Sequence, residues 1–423
     1  MKKVLMFGWE YPPEISGGLG IATHGLLLGL AKQKTDVTFV LPSINKKPKT
    51  SWEIINASDV GIKAGEIIEE EYWESISFIE IGTALMPYVS TNDYRKLVEK
   101  KKSGITKKIK ILKETLELNG GYGENLMTEV SRFAMVATEL VSKKNYDLVH
   151  GHDWMTFPAA LAAGAKANLP VVLHVHSTEI ERSYPDLNQS IYELEHKSLA
   201  KADHIVAVSQ LTKNVLIEHY GISEESITVV HNSFSPEFKK PLTKRVYPSA
   251  KPTVTFLGRF AKQKAPSLFV DVASTLSDRN PDYRFVMAGD GYLLPEIKDK
   301  VKRMNLNSKF KFPGFISASK VKRLFEGSDV FLMPSGMEPF GMVALEAAYC
   351  GVPVILSNQT GAKEVLKSAI TQNCWETYNL ANAVENLVNN PDSTKAYIKQ
   401  LKKEASRSWD TAAKETLKIY KKL

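Results

Sequence analysis

One strand–turn–helix–strand unit, from Val330 to Leu356, confines this chain to an α/β fold. Val330-Phe331-Leu332-Met333 and Val352-Pro353-Val354-Ile355-Leu356 are short apolar runs of the kind that form buried strands. Ser335, Gly336 and Pro339 make the turn between them, and Gly341 opens a short helix that Gly351 closes. That helix starts at the carboxyl end of a parallel strand, where open α/β sheets bind ligands. Its first free amides, near Gly341, Met342 and Val343, favour an anion such as a phosphate. Glu338 lies in the loop and reaches the same space. Glu346 lies within the helix beside Leu345, Ala347 and Ala348, where a carboxylate needs a hydrogen-bond donor. The two hydroxyls of a ribose would supply one. Either glutamate alone is more simply a surface residue or the partner of a lysine; it is the whole unit that points to a site.

The rest of the chain repeats this βα rhythm. Val4–Trp9 reads as the first strand, Gly17-Gly18-Leu19-Gly20 as a glycine turn into a helix over 21–33, and Val37–Leu41 as the second strand. Glycines at such a junction let backbone approach a ligand, although a tight turn explains them equally well. Ile62 to Glu80 alternates as strands do. Lys100 to Lys113 reads as a lysine-rich amphipathic helix, a solvated face or else a basic surface for a polymeric or membrane-bound acceptor. After a helix over 124–143, the strand Asp147–His150 leads to Gly151-His152-Asp153-Trp154. After a helix over 157–167, the strand Val171–Val175 leads to His176-Ser177-Thr178-Glu179. His152 and His176, each just past a strand, are pocket candidates; His174 reads as structural. Further strands fall at His204–Val208 and Ile227–Val230. Pro236, Pro241, Pro248 and Pro252 among polar residues mark a linker. Beyond it Val254–Leu257 ends at Gly258-Arg259, with Lys262 and Lys264 in the next loop. Strands follow at Arg284–Ala288 and Lys309–Phe312. A last helix carries Trp409, Ala413, Leu417 and Tyr420 on one face and must dock elsewhere, back across the first domain.

The division expected is 1–240 for the first Rossmann-like domain, 241–252 for the linker, 253–402 for the second, and 403–423 for the returning helix. At 423 residues the chain is long enough for two such domains. The two cysteines, Cys350 and Cys374, are too few for a disulfide framework and suit a reducing compartment, so a cytoplasmic location is expected. Met1 to Phe7 imitates the start of a signal peptide, but Glu10 and Pro12-Pro13 end the run too early. No apolar run reaches the ~18 residues of a membrane span. The formal charge of +8 is modest for this length, and no aromatic interleaving of the basic segment supports nucleic acid.

Arg259 and Lys264 at one strand end and the helix start at Gly341 beyond another together suit a pyrophosphate. No Asp-x-Asp occurs in the chain, and no His, Asp or Glu set has metal-ligand spacing. A diphosphate leaving group then depends on protein cations and dipoles. Taken together, Glu338 and Glu346 eight positions apart, Gly258-Arg259 with Lys264, His152-Asp153-Trp154 and Gly17-Gly18-Leu19 resemble a retaining GT-B glycosyltransferase of family 4, of the glycogen and starch synthase kind.

That resemblance implies two Rossmann-like domains facing a cleft and a hexosyl transfer that needs neither a metal ion nor another cofactor. Glu346 would hold the ribose, and Glu338 the hexose hydroxyls. Arg259 and Lys264 would bind the diphosphate, with the amides around Gly341, Met342 and Val343. Gly17 and Gly18 would approach from the other domain, and His152 would contact the transferred sugar near its 6-hydroxyl. Asp153, Trp154, His176 and Glu179 would face the acceptor. The catalytic set expected is His152, Arg259, Lys264 and Glu338. The reaction expected moves glucose from UDP- or ADP-glucose to an α-glucan. The alternatives are a family 4 enzyme of surface polysaccharide, glycolipid or disaccharide synthesis, a non-catalytic nucleotide-sugar binder, and a GT-B epimerase. The chain departs from the resemblance at four places: Ile15 stands where glycogen synthases carry lysine, Asn232-Ser233 replaces Asn-Gly, Gln263-Lys264-Ala265 replaces Glu-Lys-Gly, and His176-Ser177-Thr178-Glu179 with Arg182 differs from the corresponding loop of bacterial glycogen synthases.

Overall fold

Short buried runs alternating with amphipathic helices build two parallel sheets, one in each half of the chain. The computed structural model describes residues 2–13, 17–60, 118, 120, 126–234, 238 and 249–423. The strands read over 62–80, the basic helix over 100–113, Ile15 and most of the linker lie outside these residues. In the first half the order is β1 (Lys3–Phe7), α1 (Gly18–Lys32), β2 (Asp36–Leu41), β3 (Glu53–Asn56), α2 (Leu126–Val141), β4 (Leu148–His152), α3 (Phe157–Ala167), β5 (Val171–Val175), α4 (Glu179–Ser183), α5 (Gln189–Leu199), β6 (His204–Ala207), α6 (Gln210–Tyr220) and β7 (Ile227–Val229). The second half runs β8 (Thr253–Leu257), α7 (Pro266–Arg279), β9 (Arg284–Ala288), α8 (Leu294–Arg303), β10 (Phe310–Gly314), α9 (Ala318–Glu326), β11 (Val330–Met333), α10 (Met342–Tyr349), β12 (Val354–Ser357), β13 (Ile370–Gln372), α11 (Thr377–Asn389), α12 (Pro391–Ala405) and α13 (Trp409–Tyr420).

Strand order is β3-β2-β1-β4-β5-β6-β7 in the first sheet and β10-β9-β8-β11-β12-β13 in the second. Every pair is parallel. In both sheets the order reverses at one place, β1 beside β4 and β8 beside β11. Chain leaving those strands diverges and opens a crevice at their carboxyl ends, the place where such sheets take ligands.

Alternate residues along each strand feed opposite faces. On one side of the first sheet Leu5, Phe7 and Val149 pack with Phe133 and Leu140 of α2 and Phe157 of α3. On the other Val4, Met6, Leu148 and Val172 pack with Leu26 and Leu30 of α1 and Trp409, Ala413 and Tyr420 of α13. The second sheet is likewise covered on both faces, by α7, α8 and α11 on one and by α9, α10 and α12 on the other. Two-sided burial is why its strands read as unbroken apolar runs.

The last helix does return to the first domain, and glycines in α1 admit it. A Cβ added at Gly25 would lie 2.1 Å from Cε2 of Trp409, and one at Gly29 would lie 2.4 Å from the Trp409 carbonyl oxygen. Trp409 fixes its end by donating from Nε1 to the Phe234 carbonyl at 2.9 Å. Among the described residues, no helix is long and apolar enough to cross a membrane.

Two differences from the sequence reading stand out. β4 runs on to His152, where the reading ended it at His150, because the last residues pair in register with β5, His152 opposite His174. Between β12 and the final helix, where the sequence analysis names no element, lie β13, α11 and α12. α11 buries Leu380, Ala381, Val384, Leu387 and Val388 along one stripe, a helical period visible in the sequence.

Candidate functional site

The site lies where the two crevices meet, and its second-domain half is the more completely built. β8 ends at Gly258-Arg259 and leads through the 3-10 turn Lys262–Lys264 into α7. β11 ends at a loop that carries Ser335, Gly336 and Glu338 before α10. The two loops are tied together: the Gly336 amide donates to the Gln263 carbonyl at 2.9 Å. The Glu338 amide donates to the Gln359 carbonyl at 2.8 Å, and the Gly361 amide to the Glu338 carbonyl at 2.9 Å. Glu338 is thereby held as a short parallel bridge opposite Thr360. Its carboxylate is buried and forms an ion pair with the ammonium of Lys264.

Gly341 has φ +93°, a conformation that side chains rarely adopt, and a Cβ there would lie 2.8 Å from Cε of Met333. The amides of the first residues of α10, Met342 and Val343, have no capping side chain. Glu346 is buried one turn further on, its neighbours Leu345, Ala347 and Ala348 buried with it. Burial, with the Glu346 carboxylate adding to it, pushes the Cys350 thiol up to about 12.

The first domain closes the crevice from the other side. A Cβ built on Gly17 would lie 3.4 Å from Nη2 of Arg259, and one on Gly18 3.1 Å from Cε of Met342. The glycine turn after β1 therefore faces the exposed guanidinium after β8 and the first residue of α10. Six of the expected donor residues come together in this way: Gly17, Gly18, Arg259, Lys264, Glu338 and Met342.

Four imidazoles line one face of β4 and β5 below this crevice. His150 stacks on His152 with ring centroids 4.5 Å apart, and His174 on His176 at 4.4 Å. His152 Nδ1 lies 2.9 Å from His176 Nε2, and His150 Nδ1 meets the Tyr420 hydroxyl of α13. Burial, reinforced by the neighbouring rings, holds His150, His152 and His174 well below the usual histidine range. Burial alone brings His176 to about 3. All four are neutral at neutral pH. His152 is fully buried, while His176 is the partly exposed member. Sequence spacing gave no metal-ligand set, yet possible ligand atoms of His150, His152 and His174 lie within 4.8 Å of one another. Their ring planes meet at only 11°, 20° and 28°. Lone pairs in nearly parallel planes run side by side and do not converge on one point.

The residues expected at the acceptor have other employment. Trp154 is buried in the core under α2 and α3. Glu179 is buried and accepts from the Asn188 amide at 2.9 Å and from Arg182 at 3.2 Å; Arg182 in turn pairs with Glu195. Trp154 and Glu179 are thus both buried and partnered within the first domain. Asp153 sits at φ +61° and accepts from the amides of His176 at 2.6 Å and Ser177 at 3.3 Å. It shapes the turn that carries His176. Burial, opposed by Arg182, raises its carboxyl to about 7. The sequence reading missed Glu181, Glu195 and Tyr220, which complete this buried network. Nothing in their local spacing marked them, because their partners come from separate elements.

Comparison with known proteins decides the family. Residues 120–238 match the model described as Glycosyltransferase Family 4, and residues 239–404 the model described as Glycosyl transferases group 1. The 2-deoxystreptamine N-acetyl-D-glucosaminyltransferase of Niallia circulans is 30% identical over 270 residues, covering 59% of this chain and 68% of that protein. The chain belongs to glycosyltransferase family 4. The glycogen synthase of Mycobacterium tuberculosis is 23% identical to this family 4 enzyme over 427 residues, covering 99% of this chain and 94% of that one. The sucrose-phosphate synthase of Thermosynechococcus elongatus superposes with a TM-score of 0.73 at 16% identity, covering 100% of this chain and 99% of that chain. The fold is GT-B. A glycosyltransferase of this kind transfers a glycosyl unit from a nucleotide-sugar donor to a carbohydrate acceptor and releases the nucleotide.

Proposed function

We propose that this glycosyltransferase moves a glucosyl unit from UDP- or ADP-glucose to an α-glucan, with retention of anomeric configuration and without a divalent ion. The observation that carries this reading is the convergence of Arg259, Lys264 and the uncapped amides of Met342 and Val343, with Glu338 held beside them and Gly17-Gly18 opposite. Two cations and a helix start are a built receptor for a diphosphate. Glu338 stands where the hydroxyls of the attached hexose would lie, and Glu346 where a ribose would lie. By the family resemblance His152 would serve the hexose 6-hydroxyl; it is fully buried, its ring set against the partly exposed His176.

In this reading the bond from the anomeric carbon to the phosphate oxygen breaks as Arg259, Lys264 and the amides take up the negative charge. The acceptor hydroxyl bonds to the same face of the carbon, and its proton passes to the departing phosphate. No enzyme nucleophile enters. Likeness to a glycogen synthase over nearly the whole of both chains favours glucose and glucan. The 30% relative, whose name gives 2-deoxystreptamine as its acceptor, favours a second reading with a small cyclic acceptor and the same donor chemistry. The two free, buried cysteines suit a cytoplasmic enzyme.

A screen of UDP- and ADP-sugars against oligoglucans and small cyclic alcohols, in buffer containing EDTA, tests this directly. Expected is an α-linked glucosyl product by NMR, formed at the same rate with and without EDTA. A β-linked product, or loss of rate in EDTA, overturns the mechanism.

A further inference from the structure

Glu364 closes the 3-10 turn Gly361–Glu364 of the second domain, yet its carboxylate bonds to the first. It accepts from the backbone amides of Gln210 at 2.8 Å and Leu211 at 3.1 Å, and lies 2.7 Å from Nε2 of His231. Those amides open α6, whose own cap Ser209 accepts only from the Thr212 amide, at 3.0 Å. One domain's carboxylate therefore completes the cap of the other domain's helix, where a negative charge is favoured. Burial works against the ionised form, but the bonds from His231, Gln210 and Leu211 outweigh it and hold the carboxyl below its usual range.

The same turn is joined to the donor site. The Gly361 amide donates to the Glu338 carbonyl and the Ala362 amide to the Phe340 carbonyl, at 2.9 and 2.6 Å. Gly361 also lies flush against the first domain: a Cβ there would fall 2.7 Å from Cβ of Ser209 and 2.1 Å from the Pro339 carbonyl oxygen. By contrast Lys262 and Asp186, an ion pair between the domains, are exposed on both sides, and such pairs contribute little.

We propose that Glu364 is a positioning residue, an inter-domain latch that sets the Glu338–Gly341 loop against the first domain. It goes beyond the donor and acceptor proposed above, because it concerns how the halves of the site are held in register. A displacement of about 1 Å at a reacting centre costs on the order of 10²-fold in rate.

The test compares Glu364→Ala, Glu364→Gln and His231→Gln with wild type by small-angle X-ray scattering, with and without UDP, by calorimetric titration of UDP, and by transfer from UDP-glucose. Expected for Glu364→Ala are a larger radius of gyration and a kcat lower by about 10²-fold. UDP affinity should stay within about threefold, since the charged and amide groups expected on the phosphates, those of Arg259, Lys264, Met342 and Val343, all sit on the second domain. Glu364→Gln keeps one acceptor and should lie between Glu364→Ala and wild type. His231→Gln should add little in the Glu364→Gln background, because the two act through one contact. Should Glu364→Ala fail to fold, the Gln variants carry the same comparison. Folded variants with wild-type scattering and a kcat within about twofold of wild type would overturn the latch. If wild type does not use UDP-glucose, the donor reading fails while scattering still decides the latch.

Discussion

The ammonium of Lys264 rests on the carboxylate of Glu338, across the join between the loop after β8 and the loop after β11. Each group is the other's stand-in. In the proposed function the diphosphate of an entering nucleotide sugar would take over the ammonium and its hexose hydroxyls would take over the carboxylate. The pair keeps a mostly buried carboxylate neutralised until then.

Lys264→Ala should lower kcat by about 10²-fold or more, since it removes a charge that serves the leaving group. Glu338→Ala should also lower it, and the double variant should lose less than the product of the single losses, because each single change strands the partner. Steady-state kinetics of the three variants decide this; strict multiplicativity would mean that the two groups act independently.

Gly18→Val should hinder closure of the first domain on Met342. The expected result is a kcat reduced by about tenfold with a stability change near 1 kcal/mol, because the added atoms face the crevice and not the core. Urea unfolding beside kinetics separates the two; a large stability loss with unchanged kcat would place Gly18 in packing instead.

Ala265, at φ +46°, occupies a left-handed position where the family pattern has glycine. Ala265→Gly should raise the unfolding free energy by about 1 kcal/mol, the cost of a Cβ in that region. Equilibrium denaturation measures it, and a loss of stability would show that the turn is not strained.

Glu181 gives a pH prediction. Burial raises its carboxyl from 4.5 to about 7, against bonds from Thr212 and Thr178. Between these two values the folded protein keeps a proton that the unfolded chain has released. Stability from this group is therefore present at low pH and falls as pH rises through the window. Glu181→Gln removes the titration, so it should gain on wild type between pH 4.5 and 7, by up to about 3 kcal/mol. Unfolding of both proteins across that range gives the difference curve; a flat difference would mean that Glu181 ionises in the fold as it does in the open chain.

Much of this was legible in the sequence, and the reasons are local. The apolar runs at Val330 and Val352, the glycines at 17–18 and the breaks at Gly258 and Gly341 are neighbours along the chain, so period and turn chemistry expose them. Most of the parallel strands, β3 and β13 excepted, are therefore legible, as are the loops that carry Gly17, Gly18, Arg259 and Lys264. Contacts between distant residues were hidden. His150 and His174 meet only because β4 lies beside β5, and Tyr420 reaches His150 only because α13 returns to the first sheet. The bonds of Glu179 to Asn188 and Arg182 were hidden in the same way. Glu364 carries no local mark, since its partners lie more than a hundred residues away in the chain.

The most direct test of the central claim is a crystal structure with UDP-glucose or its unreactive analogue. Predicted is a diphosphate within hydrogen-bonding distance of Lys264, Arg259 and the Met342 and Val343 amides, with Lys264 turned off Glu338 and no divalent ion on the phosphates. Phosphates bound elsewhere, or carried by a metal ion, would contradict it.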